Sequence, residues 1–201
     1  MFAVGHVAFG YISSKSSAKL LKTNFNIPTV LMLSIIPDID IIIPFLNHRG
    51  PTHSIIVSLL IFAPLFLVYH RRAIPYFLAL VQHSLVGDFM FGGGIRLLWP
   101  LTTQYYGIQI SVLSQESIII EWVMFVISIV IMLKTNDAAK LLQQNFSNLI
   151  LLVPTFTLLA PVFFAFPLAV PLWLIPPHLF YAFLFLASTA IGVIKFTKNP
   201  R

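Results

Sequence analysis

The stretch SIIPDIDIIIPFLNHRGPTHS, Ser34 to Ser54, sets two aspartates and two histidines within sixteen residues, among isoleucine and proline. An ionised carboxylate in hydrocarbon is costly, and such groups inside membrane segments mark sites of function. The reading of this stretch depends on the chain around it. Of the 201 residues, 58% are hydrophobic and 9% charged, with mean hydropathy +0.93. A soluble domain carries about 25% charge. The composition excludes an ordinary soluble fold and implies an all-α, polytopic transmembrane helix bundle. We expect one transmembrane domain over residues 1–201. Residues 1–100 carry the polar motifs and 117–201 the supporting spans.

A spanning helix needs about 20 mostly apolar residues. The expected spans are Phe2–Leu21, Ile27–Leu46, Ile55–Tyr69, Ala73–Phe91, Ser117–Leu133, Leu149–Phe166 and His178–Phe196. That makes about seven, or six if the Ser- and Lys-rich first one lies in the interface. Pro37 and Pro44 interrupt the second. Basic residues set the orientation, because cytoplasmic loops carry the Lys/Arg excess. With the N-terminus outside and the C-terminus inside, ten of the 12 basic residues lie inside. They are Lys15, Lys19, Lys22, Arg71, Arg72, Lys134, Lys140, Lys195, Lys198 and Arg201; only Arg49 and Arg96 fall outside. The net charge of +6 is thus a loop bias, with no basic, aromatic-interleaved stripe for nucleic acid.

This topology gathers eight metal-competent side chains near the outer level: His6, Asp38, Asp40, His48, His53, His83, Asp88 and Glu121. Carboxylates and imidazoles on facing helices are a usual way of holding metal ions in a bundle. The chain has no cysteine, so a thiolate site is excluded, and the Asp/His set suits Zn, or Mn or Fe, in two or three ions. Gly50 and Pro51 predict a turn between His48 and His53, and Thr52 is placed to cap the next helix. His83 and Asp88 are five apart, about 140° on an α-helix, so an ideal helix separates them. Gly87 between them invites a π-bulge or a helix end, either of which brings them together.

The motifs GHVAFG, PDID, HRGPTHS, and HSLVGD followed by LLWP resemble those of the YdjM-like membrane-bound metal-dependent hydrolases, over about the first hundred residues. That family is similar, distantly, to the zinc-dependent phospholipase C and single-strand nuclease group. The resemblance implies His6, Asp38, His48, His53, His83 and Asp88 as metal ligands, with Asp40 next. The resulting expectation is an integral cell-membrane hydrolase with its site facing the extracytoplasmic side. It would act on a phosphoester, phospholipid or lipid-linked, through metal-activated water. Arg49 would neutralise the phosphate, and Asp40 or Glu121 would serve as general base. Its partners would be the bilayer and the lipid or phosphoester substrate. The alternatives are a divalent-metal transporter or channel, which needs ionisable groups at several depths, and a structural protein with a metal staple. Arg96 and Trp99 read as interfacial anchors. The prolines from Pro154 to Pro177 read as irregular packing or a groove for lipid access.

Overall fold

The computed structural model describes residues 1–43 and 45–198, with side chains to residue 194. Pro44 and Arg201, and the side chains of Lys195 and Lys198, therefore lie outside the described residues. Eight α-helices are found among these: α1 (Ala3–Leu21), α2 (Ile27–Leu33), α3 (Ile55–Tyr69), α4 (Ile74–Gln82), α5 (Gln115–Lys134), α6 (Asp137–Leu141), α7 (Leu152–Phe163) and α8 (Ile175–Lys198). Short 3-10 turns join several of them. No strand is present among the described residues, only two isolated bridges, Phe91 with Ile110 and Ile95 with Tyr106.

The helix with the weakest apolar signal lies at the centre. Along α1, Val4, Gly5, His6, Val7, Ala8, Gly10, Tyr11, Ser14, Ser17 and Ala18 are all buried. It packs mainly against α4 and α5, and also against α2, α7 and α8. A helix sheathed by protein needs small residues and satisfied hydroxyls rather than bulk hydrophobicity. Ser14 donates to the Pro75 carbonyl at 2.7 Å, and Gly10 lets Ser34 and Gln82 approach.

Four helical runs are long and apolar enough to cross a membrane: Ile55–Asp88, Gln115–Lys134, Phe146–Phe163 and Leu172–Ile194. The first is folded back on itself. His70, at φ 50°, reverses the chain after α3, and Phe62 and Phe66 pack on Phe77 of α4 across the hairpin. Large side chains on these runs face outward, among them Leu60, Leu67, Leu133 and Phe183 at 63–78% exposure. Apolar exposure on this scale is uncommon on soluble monomers and suits lipid.

The second expected span, Ile27–Leu46, is not a continuous helix. Asn26 caps α2, accepting from the Thr29 N–H at 3.0 Å, but α2 is seven residues long, about 10 Å. Pro37 then sits in a 3-10 segment, Ile36–Ile41. A proline donates no N–H and disfavours α geometry in the residue before it, so the α-helix stops short of it. Asp38 and Asp40 therefore project from a tight turn, not a membrane helix.

The bundle has two polar ends. At one lie Phe2, Asp38, His53, Asp88 and Glu121. At the other, Asp137 of α6 accepts from Tyr11 Oη at 2.8 Å, from Lys140 Nζ at 2.8 Å and from Lys15 Nζ. Asn26 donates to Ser147 near the same end, at 3.0 Å.

Candidate metal centre

Four side chains from three segments converge at the first end. Asp38, His53, His83 and Asp88 each offer one ligand atom, and these atoms all lie within 4.8 Å of one another. His53 Nε2 is 3.1 Å from Asp88 Oδ2 and 3.6 Å from Asp38 Oδ1. His83 Nε2 is 3.3 Å from Asp38 Oδ1 and 3.8 Å from Asp88 Oδ2. Metal bonds of about 2.1 Å in a tetrahedron separate ligand atoms by roughly 3.4 Å. The four measured separations bracket that value.

Each imidazole is held from behind. His83 Nδ1 sits 2.8 Å from the Ser34 carbonyl, so that nitrogen carries the proton and Nε2 presents a lone pair to the cluster. His53 Nδ1 sits 3.2 Å from Asp40 Oδ2 and 3.0 Å from Thr52 Oγ1. A carboxylate or carbonyl behind a histidine is the usual support of a metal ligand. Both Nε2 atoms, and Asp88 Oδ2, are buried with no hydrogen-bond partner among the described residues. Buried polar atoms are rarely left unpaired. A divalent cation would satisfy all three, so this donor set fits one.

Of the two irregularities that Gly87 invites, the structure has the π-turn. Residues His83–Asp88 form a π-helical turn continuing α4, in which i→i+5 bonding stacks residues five apart. Gly87 has a second role: the His6 imidazole lies against its Cα, where a Cβ would overlap the ring. His6 stacks on His83 with centroids 3.7 Å apart, and its Nε2 is 3.6 Å from Asp88 Oδ1. Both His6 ring nitrogens lack partners. His6 thus borders the four-residue cluster.

Asp40, His48 and His53 form a second group able to hold an ion, sharing His53 with the first. His48 Nδ1 is 2.9 Å from Asp40 Oδ1, and the His48 side chain is 41% exposed. Asp40 is well connected. Its Oδ2 accepts from Thr52 Oγ1 at 2.5 Å and from the Arg49 backbone N–H at 3.1 Å. His48, His53 and Thr52 thus surround the buried carboxyl.

Arg49 spans the two groups. Its Nε is 3.3 Å from Asp88 Oδ2 and its Nη2 is 3.4 Å from Asp88 Oδ1. Its guanidinium rests on Gly92, at φ 99°, where a Cβ would collide with it. Arg49 itself adopts φ 64°.

Two placements differ from the sequence expectation. Thr52 does not cap α3. Ser54 does, accepting from the N–H groups of Ile56 at 3.1 Å and Val57 at 3.4 Å, while Thr52 braces Asp40 and His53. Glu121 is not among the side chains the cluster brings together. From α5 it reaches the start of α1, its Oε1 accepting from the Phe2 N–H at 2.9 Å. A carboxylate there answers the orphan N–H groups and positive end of a helix. One contributor escaped the sequence reading: the Ser34 carbonyl carries no side-chain signal.

A cavity of about 370 Å³ opens over the cluster. Asp38, His48, Arg49 and Asp88 line one part of it. The rest is apolar apart from Thr157, and comes from Met1, Phe2, Ala3, Ile41, Ile42, Gly92, Val112, α7 and the segment that follows α7.

A helical bundle with membrane-length apolar runs and a buried Asp/His cluster defines an integral membrane protein with a possible metal site. The family model described as YdjM inner membrane protein matches residues 1–166, and the chain belongs to that family. Compared with curated proteins and with solved structures, the chain gives no match.

Proposed function

We propose that this chain is a membrane-embedded, metal-dependent hydrolase that cleaves a phosphoester, phospholipid or lipid-linked, at the outer face of the membrane. The observation that carries the reading is the convergence of His53 and His83 Nε2, both buried and unpartnered, on Asp38 and Asp88 beneath an open cavity. Asp38, His53, His83 and Asp88 would hold one ion, with His6 beside them. Asp40 and His48 would hold a second where His53 gives up its Nδ1 proton and bridges the two ions as an imidazolate. Zn suits the donors, with Mn or Fe next. Such ions supply Lewis acidity toward water and phosphoryl oxygens.

The chain's own groups do the rest. Arg49 presents a planar guanidinium to the cavity, suited to bidentate capture of a phosphate. Asp40 fixes the His53 ring through Nδ1 and keeps Nε2 free for the site. Thr52 and the Arg49 N–H hold Asp40 in turn. Of the two carboxylates expected as general base, Asp40 adjoins the site, whereas Glu121 is engaged with α1. The bundle would cross the membrane about seven times, counting α1 and the broken α2 segment, with the N-terminus and site outside.

Purified protein loaded with Zn or Mn should hydrolyse an aryl phosphodiester. Chelation should abolish the activity, and His53→Ala should lower kcat/KM by at least about 100-fold while the protein remains folded. Metal-dependent turnover retained in His53→Ala would refute the reading. Absence of turnover together with metal flux into proteoliposomes would establish the transporter instead.

A further inference from the structure

The cavity over the cluster is built in two halves of opposite character. At its floor are Asp38, His48, Arg49 and Asp88. Its far wall holds no charged side chain. That wall is Ile41 and Ile42 on one side, and Phe156, Thr157, Ala160, Pro161, Phe166, Pro167 and Leu168 on the other. The cavity's exposed lining is mostly apolar, with Ile42 56% exposed, Phe156 51%, Phe166 42% and Leu168 43%, and His48 at 41% is the polar group among them. A site receiving a water-soluble substrate ordinarily meets solvent through polar residues, because an apolar rim of this kind is costly in water. Phe156 lies within the membrane-length run Phe146–Phe163, so this rim continues a surface that faces hydrocarbon.

Volume narrows the occupant. About 370 Å³ is near the low end of small-molecule sites, which run from about 300 to 1,000 Å³. It holds a phosphate, its ester linkage and the first part of one chain. The remainder of a long chain must leave through the opening, and on the Ile42, Phe156, Phe166 and Leu168 side apolar groups meet it.

We propose that the cavity admits a phosphate-bearing lipid sideways from the bilayer. The phosphate lies at Arg49, and one hydrocarbon chain leaves between Ile42 and the Phe156, Phe166 and Leu168 wall. Charge complementarity fixes the polar end and the rim fixes the apolar end. This deepens the hydrolase reading and rests on it for the phosphate end alone. The irregular segment after α7 then has a purpose: its Pro167 forms part of the wall, beside Pro161 inside α7.

The test uses binding, so that it does not depend on turnover. The chain has no cysteine, so Thr157→Cys places a single thiol in the wall. Its alkylation by a small hydrophilic thiosulfonate is timed in the metal-loaded protein in nanodiscs. A long-chain lysophosphatidate should slow the reaction at least about 10-fold. Inorganic phosphate and a neutral monoacylglycerol should not. Adding Leu168→Glu at the exposed rim should remove the protection while leaving metal content unchanged. Equal protection by inorganic phosphate would make the ligand a soluble anion, and equal protection by the neutral lipid would make the wall a mere chain groove. Either result, or no protection by any probe, overturns the proposal. Protection without hydrolysis would sink the enzyme reading and keep this one; hydrolysis of a soluble diester without protection would do the reverse.

Discussion

At the scale of single residues, the four-residue cluster depends on groups that stand behind its ligands. Asp40 holds His53 through Nδ1, and Thr52 holds both. Loss of such a support typically costs 10- to 100-fold in metal affinity. We therefore expect Asp40→Asn to weaken Zn binding by about that factor, measured by competition with a chromogenic chelator. Unchanged affinity would remove Asp40 from the site. Gly87 is a second case, because the added methyl of Gly87→Ala meets the His6 ring. Overpacking of this kind costs roughly 1–3 kcal/mol, so the thermal midpoint should fall, and an unchanged midpoint would contradict the packing described. The Asp and His residues were legible in the sequence because charge in so apolar a chain stands out. The role of Thr52 was not, since its position before a helix reads as a cap until the 3-10 turn Pro51–His53 aims its hydroxyl inward.

At the scale of elements, one extra residue in a helical turn decides the geometry of α4. An α-helix would set His83 and Asp88 on different faces, and the π-turn brings both to the cluster. That turn was legible in part: the five-residue spacing and Gly87 signal a break, and a helix end there fits the same spacing. The interruption of the second span was legible only in part. Pro37 marks the break, but composition alone reads Ile27–Leu46 as spanning. The centrality of α1 was hidden for a similar reason: serines and lysines in an apolar helix look interfacial until their hydroxyls find buried carbonyls such as Pro75. The hairpin turn between α3 and α4 offers a check on the fold. His70 holds φ 50° and ψ −132°, a backbone region suited to glycine. Strain of this kind costs of order 1–3 kcal/mol, so His70→Gly should stabilise the protein by about 1 kcal/mol in reversible unfolding. Destabilisation would contradict the turn as drawn.

At the scale of the whole molecule, the two polar ends behave differently. The cluster end has unpartnered buried nitrogens, whereas the Asp137 end is closed by Tyr11, Lys15 and Lys140. Burial opposes ionisation of Asp137, yet Lys140, Lys15 and Tyr11 outweigh it and lower its pKa to about 2. The folded state thus binds this proton less readily than the unfolded chain, whose carboxyl titrates near 3.9. The stabilisation is fully present above that value and is lost as pH falls toward about 2. Asp137→Asn should accordingly be less stable than wild type at pH 6, and the gap should shrink by pH 2.5. A constant gap would show that Asp137 acts through packing alone. The membrane character of the molecule was plain from composition, but its bundle order was not, because hydropathy cannot tell a lipid-facing helix from a buried one.

The measurement that tests the central claim most directly is metal content by elemental mass spectrometry. Wild-type protein purified in detergent would be compared with His53→Ala and with Asp88→Asn. We predict at least one Zn, Mn or Fe per wild-type chain, with the loss greatest in His53→Ala, because His53 belongs to both groups. Wild-type protein without metal above background, or full metal retained in both folded variants, would contradict the metal centre and the hydrolase built on it.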